Sequence, residues 1–116
     1  MFLYQQRDIV FVSFPFTDAS TAKQRPVLIV SSDEINQSAS GDFIGLAITT
    51  KLYRGKYSVA ITAKNCQDGK LPFDSEIQCD KIATIQKDIV IKKFCKLKTD
   101  TYQVVINKIK QSLQIT

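Results

Sequence analysis

Short segments rich in β-branched and aromatic residues dominate the first 97 residues, with polar stretches between them. These residue types fit a pleated sheet, and closely spaced segments of this kind favour a small, curved antiparallel sheet or barrel. Residues 33–36 are compatible with a single helical turn, whereas 16–24 and 64–74 are predicted to be loops. The strands are predicted at 8–14 (DIVFVSF), 25–31 (RPVLIVS), 42–49 (DFIGLAIT), 57–61, one or two within 75–85 (SEIQCDKIATI), and 89–97 (IVIKKFCKL).

The end of the chain has a different, helical period. Thr99 or Asp100 is expected to cap the start of this helix, and Lys108 and Lys110 lie in its C-terminal half, where the helix dipole favours cations. The prediction is therefore a mainly β single domain, residues 1–116, that ends in one C-terminal helix. The apolar positions form one stripe at i, i+3, i+4, i+7 and i+11: Tyr102, Val105, Ile106, Ile109 and Leu113.

Composition agrees with one soluble globular domain. Of the 116 residues 44% are apolar and 23% are charged, which is the usual balance for such a chain. The N-terminal residues show no basic stretch followed by an apolar one, as a signal peptide would. No apolar run approaches the roughly 20 residues that a membrane helix requires. We therefore expect a cytoplasmic protein without membrane association.

The chain has no histidine, which excludes the usual zinc sites and histidine-based acid–base chemistry. Its three cysteines, Cys66, Cys79 and Cys95, include no C-x-x-C pair, so we expect free, partly buried thiols. No tight cluster of Asp and Glu suggests a magnesium site. Neither a metal nor another cofactor is expected, and any catalysis must use the remaining polar side chains.

The net charge of +5 is concentrated near the C-terminus. Residues 87–116 hold seven lysines against two aspartates, and the rest of the chain is neutral. Such a basic segment is typical of proteins that bind nucleic acid or an acidic protein partner. A solvated lysine face explains it equally well, so charge alone leaves both interpretations open.

Arg25 precedes Pro26 at the start of the second predicted strand. Proline disfavours the α region for the residue before it, so Arg25 should be extended and held at the rim of the sheet. The third strand ends in Thr49, Thr50 and Lys51. If the two strands are neighbours, Arg25 and one of the threonines converge and can stabilise a pentavalent phosphorane. Taken singly, these residues also fit a strand opening and ordinary β-propensity.

Five blocks of the sequence together resemble the MazF/PemK family of toxin endoribonucleases. The resemblance implies an SH3-like (CcdB/MazF-type) antiparallel barrel, a homodimer, and a cognate antitoxin that lays a disordered segment over an RNA groove. It also implies metal-independent cleavage of single-stranded RNA at short motifs, with 2′,3′-cyclic phosphate and 5′-hydroxyl ends. The blocks are DIVFVSFPFTD (8–18), KQRPVLIVSSD (23–33), LAITTK (46–51), LPFDSEIQCDKIATI (71–85) and LKTDTYQVVINKIKQSL (97–113).

The same resemblance places the family's functional positions on this chain. Arg25 and Thr49 fall on the catalytic arginine and threonine, where they would stabilise the attacked phosphate, and the nucleophile would be the 2′-hydroxyl of the RNA itself. Phe16 would stack on a base at the border of the groove, although ordinary packing explains a phenylalanine there as well. The other RNA-binding positions implied are Thr17, Lys23, Thr50, Lys51, Ser75, Asp80 and Lys81.

Four positions depart from the family pattern. Arg7 and Cys95 stand where glycine is common, Gln24 replaces a frequent basic residue, and loop 19–22 lacks glycines. We expect Arg7 to alter the rim of the groove and Cys95 to affect the local backbone.

Two other functions stay open at this point. One is a CcdB-like toxin that binds and poisons a protein such as gyrase, and the other is a basic module that binds nucleic acid through its C-terminal lysines.

Overall fold

The computed structural model describes residues 2–14 and 23–116. Within these ranges the chain forms one antiparallel sheet of seven strands in the spatial order β4-β6-β3-β2-β1-β7-β5. A helix of one turn, α1 (Asp33–Asn36), follows β2, and a longer helix, α2 (Thr99–Ser112), ends the fold. The strands are β1 (Asp8–Phe14), β2 (Lys23–Ile29), β3 (Asp42–Thr49), β4 (Ser58–Ile61), β5 (Cys66–Gln67), β6 (Ser75–Gln86) and β7 (Val90–Leu97).

The predicted fold class is confirmed, because the sheet is antiparallel and curls into a half-barrel with the helix at its C-terminal end. The single turn at 33–36 is also as predicted. Two predictions about strands were wrong. Region 64–74, expected to be a loop throughout, contains β5, which is only two residues long and pairs with β7. Strand β2 begins at Lys23 and ends at Ile29, two residues earlier at each end than predicted.

Strand β2 lies at the centre of the sheet, and its apolar segment is buried on both faces. Leu28 belongs to one hydrophobic cluster, whereas Val27 and Ile29 belong to another on the opposite face. Pro26 was expected to open the strand but is its fourth residue, opposite Phe11 of β1. This is tolerated because β3 pairs with β2 only from Val27 onward, so β2 has one neighbour up to Pro26 and resembles an edge strand there.

Helix α2 covers the first cluster, which also contains the buried thiols of Cys66, Cys79 and Cys95; all three are free, as predicted. Val105 is fully buried, but Leu113 at the end of the stripe is 53% exposed. The predicted cap was wrong. The N-cap residue is Lys98, whose side chain makes no capping bond, and the carboxylate of Asp100 accepts the N–H of Thr101 instead. Within the described residues no helix is long and apolar enough to span a membrane.

The structure shows the backbone at Arg7 and Cys95, the two positions at which the resemblance implied a glycine. Arg7 adopts φ +77°, a left-handed conformation that favours glycine, and three hydrogen bonds to Ile29 and Leu97 hold it there. Next to it, Asp8 is buried and forms ion pairs with Lys93 and Lys96 of β7. The backbone beside Cys95 is irregular, as expected: Cys95 has no positive φ, but Ile9 of β1 pairs with Cys95 and Val10 with Lys93, which leaves Phe94 as an extra residue in β7.

Candidate active site

A groove of about 1110 Å³ lies where the start of β2, the end of β3 and the middle of β6 meet. Strands β1 and β7 contribute Phe11, Lys92 and Phe94 to it, and the segments after β3 and before β6 border it. Because these elements come from five parts of the chain, the groove exists only in the folded sheet.

Arg25 and Thr49 both line this groove. The antiparallel pairing of β2 and β3 ends at Val27 and Ala47, and Arg25 and Thr49 each lie two residues beyond that pair, at the same end of the two strands. The neighbouring strands that the sequence analysis required are therefore present. Both side chains are half-buried, which leaves them accessible to a ligand while their backbones are held in strands.

The hydroxyl of Thr49 has a defined hydrogen-bond arrangement. Its oxygen accepts the backbone N–H of Lys51 at 3.1 Å. A threonine hydroxyl has one hydrogen to donate, and that hydrogen stays available once the oxygen has accepted a bond. Thr49 can therefore donate to an anionic oxygen in the groove.

The lining of the groove is strongly basic. Besides Arg25, four lysines contribute to it, Lys23, Lys51, Lys81 and Lys92, and none of the described lining residues is acidic. A concave surface with charges of one sign attracts anions and raises their local concentration. The groove is thus suited to a phosphate-rich ligand.

Strand β6 delivers Lys81 to the groove through an irregularity in its pairing. Leu46 pairs with Ile82 and Ile48 with Ile77, so the four residues 78–81 of β6 oppose the single residue Ala47 of β3, an insertion of three residues. Such bulges redirect side chains, and here Gln78 and Lys81 both reach the groove.

Some of the other predicted RNA-binding residues line the groove and others do not. Thr50 and Ser75 line the groove, as does Gln24. Asp80 does not; it is exposed and lies 4.0 Å from the amine of Lys81, because it occupies the neighbouring position of the insertion in β6. Phe16 and Thr17 lie outside the described residues. Arg7 is not among the lining residues, so the expectation that it alters the rim was wrong; it lies beyond the opposite end of β1.

Aromatic residues in the groove were missed by the sequence analysis. The rings of Phe11 and Phe94 are 5.1 Å apart, and the amine of Lys92 lies 5.4 Å from the centre of the Phe94 ring. Tyr53 and Phe73 line the groove with 64% and 68% of their surface exposed. Exposed rings beside cations are typical of sites that bind single-stranded nucleic acid, because bases stack on the rings. Nothing in the sequence distinguished these aromatics from core residues.

Most lysines of the C-terminal segment lie outside the groove. Only Lys92 among them lines the groove. Lys93 and Lys96 pair with Asp8, and Lys87 donates to the backbone oxygens of Ile35 and Ser38. Most of the segment's excess charge therefore lies away from the groove or stabilises the fold.

The groove combines a permanently charged guanidinium, a hydroxyl donor, several ammonium groups and exposed aromatic rings. These groups can bind a phosphodiester and stabilise negative charge that develops on it. Within residues 2–14 and 23–116, no group of three or more cysteine and acidic side chains is arranged to hold a metal ion.

The structure is that of a small β protein with a basic groove, and comparison with protein families makes the class specific. Residues 5–113 match the model of the PemK-like, MazF-like toxins of type II toxin–antitoxin systems. The chain belongs to this toxin family, as the sequence blocks predicted. No curated protein matches the chain.

Solved structures of similar fold include several toxins. An endoribonuclease from a mycobacterial species, in complex with its cognate antitoxin, has a TM-score of 0.74 at 18% identity, covering 100% of this chain and 98% of that one. The Mycobacterium tuberculosis toxin MazF-mt6 has a TM-score of 0.75 at 22% identity, covering 95% of this chain and 99% of that one. A Deinococcus radiodurans MazE-MazF structure has a TM-score of 0.84 at 13% identity, and the match covers 100% of both chains. At these identities the likeness establishes the fold.

Proposed function

We propose that this toxin is a metal-independent endoribonuclease that cuts single-stranded RNA, messenger RNA above all, at short sequence motifs. Arg25 and Thr49 are its catalytic residues. The observation that carries the proposal is that these two side chains, from adjacent strands, line one basic groove in which none of the described lining residues is acidic. Family membership and the ribonuclease activity named for the mycobacterial neighbour support it.

The reaction needs no nucleophile from the protein. The 2′-hydroxyl oxygen of the RNA attacks the adjacent phosphorus, the bond from phosphorus to the 5′-oxygen breaks, and a 2′,3′-cyclic phosphate forms. Water accepts the proton of the 2′-hydroxyl, and the departing 5′-oxygen gains one to become a hydroxyl. Negative charge on the non-bridging oxygens is greatest at the pentavalent stage, so groups that bind this stage lower the barrier.

Arg25 and Thr49 act on that charge in different ways. The Arg25 guanidinium stays protonated during the reaction and offers a planar set of donors to the phosphate oxygens. The Thr49 hydroxyl, whose oxygen already accepts from Lys51, donates its hydrogen to a non-bridging oxygen. A chain without histidine can catalyse this reaction by charge stabilisation alone, at the expense of efficient proton transfer.

The remaining lining residues bind the strand. Lys23, Lys51 and Lys81 contact phosphates on either side of the cleaved bond, while Thr50 offers its hydroxyl to base edges. Ser75 is 2% exposed and its hydroxyl donates to the Phe73 carbonyl at 2.7 Å, so it shapes the groove wall beside the RNA. Tyr53 and Phe73 provide exposed rings for unpaired bases, which a duplex would not present. We assign Phe16 and Thr17 to binding of the RNA strand as well, and Asp80 to a contact at the periphery of the groove.

The partners follow from the function. A ribonuclease toxin must be held inactive by an antitoxin, and an acidic, disordered segment of that antitoxin would cover the basic groove. The mycobacterial neighbour was solved with its cognate antitoxin. We further propose a homodimer and a cytoplasmic location, where messenger RNA is translated.

The test is incubation of the purified protein with a long single-stranded RNA in EDTA, beside the variants Arg25→Ala and Arg25→Lys. We expect fragments that share a short motif and end in a cyclic phosphate. Loss of one such transition-state contact lowers the rate by about 10²–10³, so Arg25→Ala should be nearly inactive. Arg25→Lys keeps the charge without the planar donors and should recover only part of the rate.

Other results would change the assignment. Intact RNA with the folded parent protein would refute the ribonuclease and favour a toxin that poisons a protein target by binding. Equal cutting by parent and variant would keep the ribonuclease but remove Arg25 from its chemistry. Cutting that requires a divalent cation would refute metal independence.

A further inference from the structure

Glu76 is a buried carboxylate beside the groove that the proposed chemistry does not use. It is the second residue of β6, only 3% exposed, and lies between Thr49 of β3 and Ala60 of β4 in the sheet. Burial of a carboxylate is unfavourable unless hydrogen bonds replace its water. No lysine or arginine in the described part of the chain forms an ion pair with it. Its hydrogen bonds therefore explain why it is tolerated.

Among the described residues, the hydrogen bonds to this carboxylate all come from the backbone of one loop. Oε1 accepts the N–H of Tyr53 at 3.1 Å and the N–H of Arg54 at 3.1 Å, and Oε2 accepts the same Arg54 N–H at 3.0 Å. Arg54 has φ +53°, a conformation that residues other than glycine seldom adopt. The carboxylate of Glu76 thus binds the loop at Arg54, the residue whose backbone conformation is unfavourable.

The loop 50–57 carries part of the groove. Thr50, Lys51 and Tyr53 line the groove, and the Tyr53 ring is too exposed to be held by packing. At the C-terminal end of the loop the Tyr57 carbonyl accepts the N–H of Cys79 in β6. The other hydrogen bonds among the described residues of this stretch are local: Lys51 N–H to Thr49, Tyr53 N–H to the Lys51 carbonyl, and Ser58 N–H to the Gly55 carbonyl. The bonds to Glu76, by contrast, connect the loop to a strand more than 20 residues away in sequence.

We propose that Glu76 is a positioning residue that fixes the 50–57 loop, so that Lys51 and Tyr53 are presented to the bound RNA. This inference rests on the proposed ribonuclease function. Arg25 and Thr49 lie in strands that the sheet holds in place, so release of the loop should leave the chemical step almost unchanged. Binding of the strand should weaken, because the cation and the ring from the loop are no longer held in place.

The test compares Glu76→Ala and Glu76→Gln with the parent protein in kcat, KM and Kd. The Kd is measured with the cleaved RNA carrying 2′-deoxyribose at the cut position, which binds but cannot react. For Glu76→Ala we expect KM and Kd to rise about tenfold, with kcat within about threefold of the parent value. Glu76→Gln keeps an acceptor oxygen and should recover most of the affinity. The amides of Tyr53 and Arg54 should exchange hydrogen faster in Glu76→Ala.

Two controls separate positioning from general stability. Val105→Ala creates a cavity under helix α2, far from the loop, and should lower Tm without changing KM. In a background that already carries Lys51→Ala and Tyr53→Ala, adding Glu76→Ala should have little further effect on Kd, because the groups it positions are gone.

Three results would overturn the inference. Unchanged Kd in Glu76→Ala would remove the positioning role, as would an undiminished effect in the doubly substituted background. A fall in kcat at constant KM would place Glu76 in the chemical step instead. A parent protein that neither cuts nor binds RNA would refute the proposed function itself and the inference with it, and that result comes from the parent alone.

Discussion

Replacing Thr49 with valine removes one hydroxyl at nearly constant shape, and the structure defines what is lost. The hydroxyl oxygen accepts the Lys51 N–H at 3.1 Å, and its hydrogen is free for the phosphate. The Lys51 N–H is in an exposed residue and can bond to water in the variant, so that part of the loss is small. The main loss is one hydrogen bond from a neutral donor to a charged oxygen.

The magnitude follows from that single bond. A hydrogen bond to a charged group contributes about 1.5–3 kcal/mol. At 1.36 kcal/mol for each factor of ten, Thr49→Val should lower kcat/KM by about 10–150-fold. If the bond is made only at the pentavalent stage, kcat should fall and KM should stay constant.

The assay is cleavage of a short RNA that contains the preferred motif, with fluorophore and quencher at its ends, under single-turnover and steady-state conditions. Thr49→Ser is the matched control, because it keeps the hydroxyl and should stay within about tenfold of the parent. A Thr49→Val protein as active as the parent would refute the role of the hydroxyl. A serine variant as inactive as the valine variant would show that the methyl group, and hence packing, is what matters.

Two further predictions concern stability. A methyl group at Gly45 would overlap the Cγ1 of Val27 and lie 3.0 Å from the Cδ1 of Ile85, so Gly45→Ala should destabilise the fold by about 1–3 kcal/mol. Gly41→Ala is the control, because no atom lies within 4 Å of the added methyl group and its stability should not change. Equal melting temperatures for the two variants would contradict the packing argument. Burial of the Cys79 thiol raises its pKa from 9.0 to about 11, so the folded state favours the protonated thiol. The resulting stabilisation of the folded state is complete below pH 9 and is lost as the pH rises to 11. Urea midpoints should therefore fall more steeply over that range for the parent than for Cys79→Ala, and parallel curves would contradict the shift.

Much of the fold could be predicted from local patterns. The β-branched runs predicted strands that the structure contains, and the apolar stripe predicted helix α2, because period and residue type act over a few neighbouring residues. The errors occurred where tertiary contacts override local preference. Strand β5 has two residues and exists only because β7 offers it an edge. Pro26 is accepted inside β2 because β3 leaves that side unpaired.

The candidate site was predictable in part, for a similar reason. Arg25 stood out because proline fixes the backbone beside it, and Thr49 because an apolar strand ends there in hydroxyls. Their convergence required strands β2 and β3 to be neighbours, and the residues that pair between these strands are up to 20 positions apart in sequence. Phe94 and Tyr53 gave no signal, since an aromatic residue has the same appearance in sequence whether it lies in a core or in a groove.

The sequence by itself determined the residue types available for chemistry, the strand-forming segments, the closing helix and the family. These properties depend on single residues and on short-range periodicity. Only the tertiary structure decided which lysines line the groove, including Lys81 in the insertion of β6. It also decided that Glu76 accepts hydrogen bonds from the loop that follows Thr49. Each of these depends on the register and curl of the sheet, which long-range pairing sets and no local stretch of the chain encodes.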